Sequence, residues 1–305
     1  MKDSVISVQG FRKVYGSFTA VDGITFSVER GQIFGLLGPN GAGKTSTLEC
    51  LEGIRKADGG SLEVLGVDPN REPRRLSSLI GVQLQTSALP PTMTSREAVK
   101  FFCAYHGVPP RYDLLEHLGL EGKINAQYSQ LSTGQQRRLS LVLAIAHKPP
   151  VLILDEPTAG LDVGSRATLH SLMAELKAQG TSILLATHDM AEAEKMADWV
   201  AILLNGKIVA AGTPREITAA GSGLTRVSVR TEESLLHNSN IDFPAVQQWI
   251  IKGEYAVYYS TDPGPTVSAL LEFIKNNQDR LVDLRVERPN LEERFLEITA
   301  PGEPS

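Results

Sequence analysis

Cysteine is almost absent from this chain of 305 residues: only Cys50 and Cys103 occur, each within a stretch of helical pattern and neither in a CxxC spacing. No metal or redox motif is therefore present, and a reducing compartment is the simplest expectation. Long hydrophobic runs are also missing. The longest, such as Trp199 to Leu204, fall far short of the about 20 residues needed to span a bilayer, so if the protein moves something through a membrane, another chain or domain must supply the channel. The start, Met1-Lys2-Asp3-Ser4, lacks the charged, apolar and small-residue progression of a secretory signal. There is no excess of positive charge either, since 30 Lys and Arg stand against 35 Asp and Glu for a net charge of −5. Such a balance offers no footprint for a polyanion, and nucleic acid is not an expected partner. The local basic pairs Arg74-Arg75 and Arg137-Arg138 read as solvated helix faces.

A hydrophobic content of 42% is ample for a buried core, and the length suits one large domain or two smaller ones. Residues 5 to 30 alternate apolar and polar positions with glycine punctuation at Gly10, Gly16 and Gly23, which predicts antiparallel strands. A second pattern follows. The apolar runs Ile33 to Leu37, Val151 to Leu154 and Ile183 to Ala186 each lead into a turn and a helical stretch, as buried parallel strands of an α/β layer do. Between Ser165 and Gln179, Leu169, Leu172, Met173 and Leu176 form one helical stripe able to cover that sheet. Residues 86 to 147 are mostly helical in pattern and read as an inserted helical subdomain.

Asn205-Gly206 signals a hairpin, and Ala219-Ala220-Gly221-Ser222-Gly223 has linker composition, so the predicted domains are 1–220 and 221–305. The second is a small α+β unit with strand-like runs at Arg226 to Arg230, Tyr255 to Tyr259 and Leu281 to Glu287. No internal repeat or low-complexity tract occurs.

Chemistry enters at Gly38-Pro39-Asn40-Gly41-Ala42-Gly43-Lys44-Thr45, which matches GxxxxGK[ST] between an apolar strand and a helical stretch. Glycines let the backbone curl until its N–H groups point inward, and the helix N-terminus adds partial positive charge, so the loop is built to cradle phosphates. Lys44 is expected to reach the β- and γ-phosphates and Thr45 to ligate Mg²⁺, while Ser46 and Thr47 can cap the helix or touch the α-phosphate. The motif alone leaves kinases, GTPases and ATPases open. Val151 to Glu156 is a buried strand ending in two acids, at the sheet edge where α/β proteins bind ligands. Asp155 is expected to hold the Mg²⁺ shell and Glu156 to act as general base on an attacking water.

Three further elements appear in order: Leu131-Ser132-Thr133-Gly134-Gln135, Pro157-Thr158-Ala159-Gly160-Leu161-Asp162, and His188 after Ala186-Thr187. With the phosphate loop and the acid pair they resemble the ATP-binding cassette family over about residues 5 to 218. The resemblance implies a RecA-like P-loop NTPase fold of α/β class, with antiparallel β and helical subdomains and the small α+β unit appended. It also implies a dimer, a homodimer or a pseudo-symmetric cassette pair. ATP would be bound between the phosphate loop of one cassette and Ser132, Thr133, Gly134 and Gln135 of the other. Ser132 and Gly134 at the start of a helix from about Gln135 to His147 could indeed present a hydroxyl, N–H groups and a helix dipole to a phosphate. Alone, that segment reads as an ordinary helix N-cap.

The family's adenine-stacking aromatic maps onto Tyr15 and its Q-loop glutamine onto Gln85, a Mg²⁺ and water contact, with Gln83 as the register alternative. His188 maps onto the switch histidine at the γ-phosphate and Asp162 onto the aspartate that organises the dimer interface. Two departures stand out: Thr133 replaces the usual glycine, and Val163 the common proline. The ending Glu287 to Thr299, with Pro289, Asn290, Leu291 and Phe295, resembles the tail of ABC-2-type exporter ATPases of the daunorubicin-resistance and sodium-extrusion groups. The resemblance thus implies an ATPase dimer on the inner face of the cell membrane, bound to a separate ABC-2-type permease. An importer cassette or a soluble non-transport ATPase of the same family are the alternatives.

Overall fold

The computed structural model describes residues 4–85, 89–220, 223–237, 242–288 and 290–299. Thr86, where the helical insert is expected to begin, Gly221 and Ser222 of the expected linker, and Pro289 lie outside the described residues. The chain divides into two compact units, Met1–Pro214 and Arg215–Ser305.

Strands β1 (Ser4–Tyr15) and β2 (Phe18–Glu29) open the first unit and pair antiparallel. Along β2 burial alternates, with Ile24, Phe26 and Val28 inside and Thr25 and Ser27 outside, the period of a half-exposed sheet. Strand β3 (Ile33–Leu37) is buried at every residue and leads through the glycine-rich segment into helix α1 (Lys44–Leu51). Strand β4 (Gly59–Val64) returns to β1, giving a sheet of order β2-β1-β4.

After α2 (Pro73–Ser77) and β5 (Ile80–Gln83) come the helices of the insert, α3 (Ser95–Tyr105), α4 (Asp113–His117) and α5 (Thr133–Ile145). Helix α5 starts at Thr133 rather than near Gln135. Ser132 Oγ accepts from the Gln135 N–H, and Gln135 Oε1 accepts from the Ser132 N–H, a reciprocal cap that adds the first turn. The α/β alternation then resumes with β6 (Val151–Asp155), α6 (Val163–Ala178), β7 (Ser182–Thr187), α7 (Met190–Met196), β8 (Trp199–Leu204) and β9 (Lys207–Gly212). On α6, Leu169, Leu172 and Met173 are buried and Leu176 half-buried, following the expected stripe.

These strands form a six-stranded sheet of order β5-β6-β7-β3-β8-β9, parallel except for the β8–β9 hairpin. The hairpin turns through Asn205 and Gly206, with φ of 48° and 76°. Leu48 and Leu51 of α1 pack with Leu36, Ile153 and Leu184, so the helix covers the sheet beside the strands that carry the polar motifs. Because β6, β7 and β3 are neighbours, the acid pair, His188 and the phosphate loop all emerge at the same carboxyl edge.

Helix α8 (Pro214–Ala219) spans the division, which falls at its start, whereas the boundary expected from composition follows its end. The second unit continues with β10 (Thr225–Thr231), β11 (Val246–Lys252), β12 (Tyr255–Ser260), α9 (Pro263–Asn276), β13 (Leu281–Glu287) and α10 (Leu291–Thr299). The strands make an antiparallel sheet of order β11-β12-β10-β13, and Leu270 and Ile274 of α9 pack with Val227, Val229 and Tyr258.

Candidate active site

The segment between β3 and α1 closes tightly on its own unit. A Cβ on Gly38 would meet Leu203 O at 2.2 Å and one on Gly43 would meet Ala20 O at 2.5 Å, and both residues have positive φ, so the loop has room only for glycine there. Lys44, 6% exposed, donates from Nζ to Gly38 O (2.7 Å) and Pro39 O (3.3 Å) and lies 3.6 Å from Glu156 Oε1. Burial lowers its pKa, and the neighbouring Glu156 and Asp155 carboxylates act against that shift.

Across the loop, Thr45 Oγ1 donates to Asp155 Oδ2 at 2.9 Å. Burial pushes the Asp155 pKa up; the Thr45 hydrogen bond opposes the shift, Glu156 adds to it and Lys44 opposes it. Asp155 Oδ1 is buried and has no hydrogen-bond partner among the described residues. An orphaned carboxylate oxygen beside a threonine hydroxyl is a hard-oxygen donor set of the kind that Mg²⁺ takes.

Glu156 directly follows β6 and sits in the left-handed region, with φ 50°. Its N–H donates to Ala186 O at 2.9 Å, and its carbonyl accepts from Arg137 Nη1 at 2.7 Å. His188 Nδ1 lies 2.8 Å from Glu156 Oε2, where a ring N–H donates to the carboxylate. Glu156 is thus held between Lys44 on one oxygen and His188 on the other. The basic pair expected to be solvated is not so: Arg137 reaches Glu156 and Arg138 Nη1 donates to Leu118 O at 3.0 Å. Two successive guanidinium groups of α5 turn to different sides of the helix, each toward a main-chain carbonyl within its reach. Arg74 and Arg75 are exposed.

A cavity of about 290 Å³ joins these parts, with Tyr15, Asn40, Gly41, Gly43, Lys44, Thr45, Ser46, Gln85 and Glu156 among its lining residues. Gln85 borders it and Gln83 does not, because Gln83 is buried in β5. Pro39 and Ala42 belong to the same loop without lining the cavity, Pro39 exposed and Ala42 buried. The Tyr15 hydroxyl donates to Ser46 Oγ at 3.3 Å, and Lys13 and Arg55 lie 5.2 and 5.5 Å from its ring centroid. Phe18, 61% exposed, lines the same cavity and was not singled out from sequence. A second large exposed aromatic next to a glycine turn was the available signal.

Ser132, Thr133, Gly134 and Gln135 do not line this cavity; Ser132 and Thr133 are exposed at the head of α5. Asp162 caps α6, accepting from the Ser165 N–H and Oγ at 2.8 Å each, bonds that hold its carboxyl below the usual range. Val163 beside it is 88% exposed. The support under His188 has no local signature in the sequence. Buried Glu192 accepts from Thr158 Oγ1 (2.9 Å) and Thr187 Oγ1 (3.2 Å), and its other oxygen lies 3.1 Å from His170 Nε2. The Asp189 N–H in turn donates to Thr187 Oγ1 at 3.0 Å, fixing the chain just past His188.

The comparisons agree with this geometry. The family described as ABC transporter matches residues 21–159. The chain is 38% identical to Nod factor export ATP-binding protein I of Ralstonia nicotianae, over 97% of this chain and 94% of that protein. It is 30% identical to the linearmycin resistance ATP-binding protein LnrL of Bacillus subtilis, over 97% and 98% of the two chains. Among solved structures, the ATP-binding subunit of an ABC transporter superposes with a TM-score of 0.66 at 29% identity, covering 70% of this chain and 91% of that one. A nucleotide-free ATP-binding cassette from an ABC transporter gives 0.60 at 26%, covering 69% and 91%. With a phosphate loop, an acid pair and a histidine gathered at one sheet edge, this chain belongs to the ATP-binding, ATP-hydrolysing proteins of ABC transporters.

Proposed function

We propose that the chain is the motor of an ABC-2-type exporter, acting as a dimer on a separate membrane subunit. The observation that carries the reading is the position of Glu156 between Lys44 and His188, next to the Thr45–Asp155 pair. The loop N–H groups and Lys44 bind the phosphate chain, and Tyr15, with Phe18, offers ring area for adenine. Glu156 takes a proton from water as its oxygen attacks the γ-phosphorus, and ADP departs with its bridging oxygen. His188 orients the Glu156 carboxylate, and Gln85 reaches the same space. Mg²⁺, which Thr45, Asp155 and Gln85 would hold, supplies neutralisation of phosphate charge.

Exposure of Ser132 and Thr133 at a helix head, with Gly134 and Gln135 half-buried beside them and all four away from the Lys44 cavity of the same chain, supports their closing over the ATP of a second cassette, with Asp162 organising that interface. Export is supported by the names of two relatives, a Nod factor export protein and a linearmycin resistance protein. For a membrane partner, support comes from an apolar cavity of about 540 Å³ between β5 and helices α3 and α5, where Phe101, Tyr105 and Leu84 are exposed and Gln85 adjoins. Among the described residues no helix is long and apolar enough to cross a membrane, so the chain would sit peripherally on the inner face of the membrane through that partner. The 215–305 unit serves as an accessory, dimerising or regulatory element, for which the open strand edges β11 and β13 are suited. The test is to identify the adjacent reading frames and reconstitute the full chain with any polytopic membrane protein they encode. ATP-dependent pairing and ATPase stimulation by an exported compound are expected; an association with a solute-binding importer instead would overturn the reading.

A further inference from the structure

Strands β6 and β7 deliver Glu156 and His188 to the sheet edge on separate loops, and one buried acid touches both loops. Glu192, in the first turn of α7, is 3% exposed. Its Oε2 accepts from Thr158 Oγ1 at 2.9 Å, two residues past Glu156, and from Thr187 Oγ1 at 3.2 Å, directly before His188. Its Oε1 lies 3.1 Å from Nε2 of His170, a buried residue of α6. A carboxylate has acceptor sites for all three groups at once, so the acid is satisfied inside the fold. Thr187 stands between the two acids. Its hydroxyl is 3.5 Å from Glu156 Oε2, against 3.2 Å from Glu192 Oε2, and it accepts from the Asp189 N–H at 3.0 Å. A hydroxyl has one proton to give, so Thr187 serves one carboxylate at a time, and the shorter contact is the one to Glu192.

We propose that Glu192 is a positioning residue for ATP hydrolysis: it takes the Thr187 proton that would otherwise go to Glu156, and by binding Thr158 as well it clamps together the loops that carry Glu156 and His188. The inference rests on the reading of Glu156 as the base. A hydrogen bond donated to a carboxylate stabilises its charged form and weakens it as a proton acceptor. Glu156 Oε2 already faces the His188 ring at 2.8 Å, and Oε1 faces Lys44 at 3.6 Å. A further donor from Thr187 would leave less of its lone-pair capacity for water. Without an acceptor at position 192, the Thr187 hydroxyl turns to Glu156, and the two loops lose the oxygen they share. His170 supports the arrangement from the far side: its ring N–H donates to Oε1, which leaves Oε2 to the two threonines.

The test measures steady-state ATPase kinetics and equilibrium ATP binding on the full chain and its variants. Glu192→Met fills about the same space without an acceptor, and it should lower kcat on the order of 10-fold while ATP affinity stays within about 2-fold of wild type. Glu192→Gln keeps an acceptor oxygen for both threonines and should recover most of that turnover. Thr187→Val lacks the proton in question. In that background Glu192→Met should cost no more than about 3-fold, a coupling that a merely structural role of Glu192 would not produce. Wild-type kcat in Glu192→Met overturns the proposal. So does a loss of ATP affinity as steep as the loss of turnover, which marks a collapsed sheet edge, and so does an equal cost of Glu192→Met with and without the Thr187 hydroxyl. Glu156→Gln separates this inference from the reading beneath it. If that variant turns over near normally, the base assignment falls and the role of Glu192 with it; if it is slow while Glu192→Met runs at the wild-type rate, the role of Glu192 alone is refuted.

Discussion

Arg137 Nη1 donates to the main-chain oxygen of Glu156 at 2.7 Å, tying the helix headed by Ser132 to the acid at the end of β6. Glu156 sits at φ 50°, a conformation that a non-glycine residue holds only when its surroundings impose it. Its N–H is fixed by Ala186 O and its carbonyl by Arg137, so both peptide groups are specified while the carboxylate faces Lys44 and His188. Truncating Arg137 leaves a carbonyl unpaired at a cost of about 1–3 kcal/mol, and the turn can relax. Arg137→Ala should lower turnover roughly 10-fold with ATP affinity nearly unchanged. Steady-state ATPase kinetics beside an ATP titration check this, and an unchanged turnover would show that the turn holds without Arg137.

Glu156→Gln keeps the size of the side chain and removes its ability to take a proton. Turnover should fall on the order of 100-fold or more while ATP still binds. Lys44→Ala should instead abolish most ATP binding, because Lys44 is the buried cation of the phosphate loop. An equilibrium titration of both variants separates the two roles. Tight binding by Lys44→Ala, or near-normal turnover by Glu156→Gln, would falsify the respective assignment.

Much of this site is legible in the sequence because its parts are local. The glycine spacing before Lys44 specifies a loop, and apolar runs ending in Asp155-Glu156 and in Thr187-His188 specify strands that stop at one edge. What escapes is long-range. Arg137 looks like half of a solvated pair until α5 is laid beside β6, and Glu192 looks like one more surface acid of an exposed helix until Thr158, Thr187 and His170 close around it. Strand β11 is hidden for a different reason: Val246–Lys252 carries Gln247, Gln248 and an unbroken Trp249 to Ile251, which shows no period of two.

Gly81 lies at another such long-range contact. A Cβ there would meet Ala144 O at 2.2 Å and Pro149 Cγ at 2.8 Å, so β5 can approach the end of α5 only without a side chain. Backbone cannot yield as a flexible side chain does, and Gly81→Ala should destabilise the chain by about 1–3 kcal/mol. Urea unfolding followed by circular dichroism measures it, and a midpoint equal to wild type would mean that α5 shifts without cost.

Glu52 provides a prediction with a defined sign. Its carboxyl rises from an ordinary 4.5 to about 8 in the folded chain, chiefly through burial. The folded state therefore holds the proton more tightly than the unfolded one, and the resulting stability is fully present below about pH 4.5 and lost as pH rises through about 8. The difference corresponds to a ceiling of about 5 kcal/mol. Glu52→Gln carries no ionisable group, so its stability should fall less steeply than wild type between these limits, and the variant should be the more stable of the two above pH 8. Asp155, whose pKa is also raised, is present in both proteins, so the difference between the two melting curves reports the Glu52 carboxyl together with its repulsion from Asp155. Parallel pH profiles would show that the Glu52 carboxyl ionises freely in the folded chain, which is incompatible with a buried acid that has no hydrogen-bond partner among the described residues.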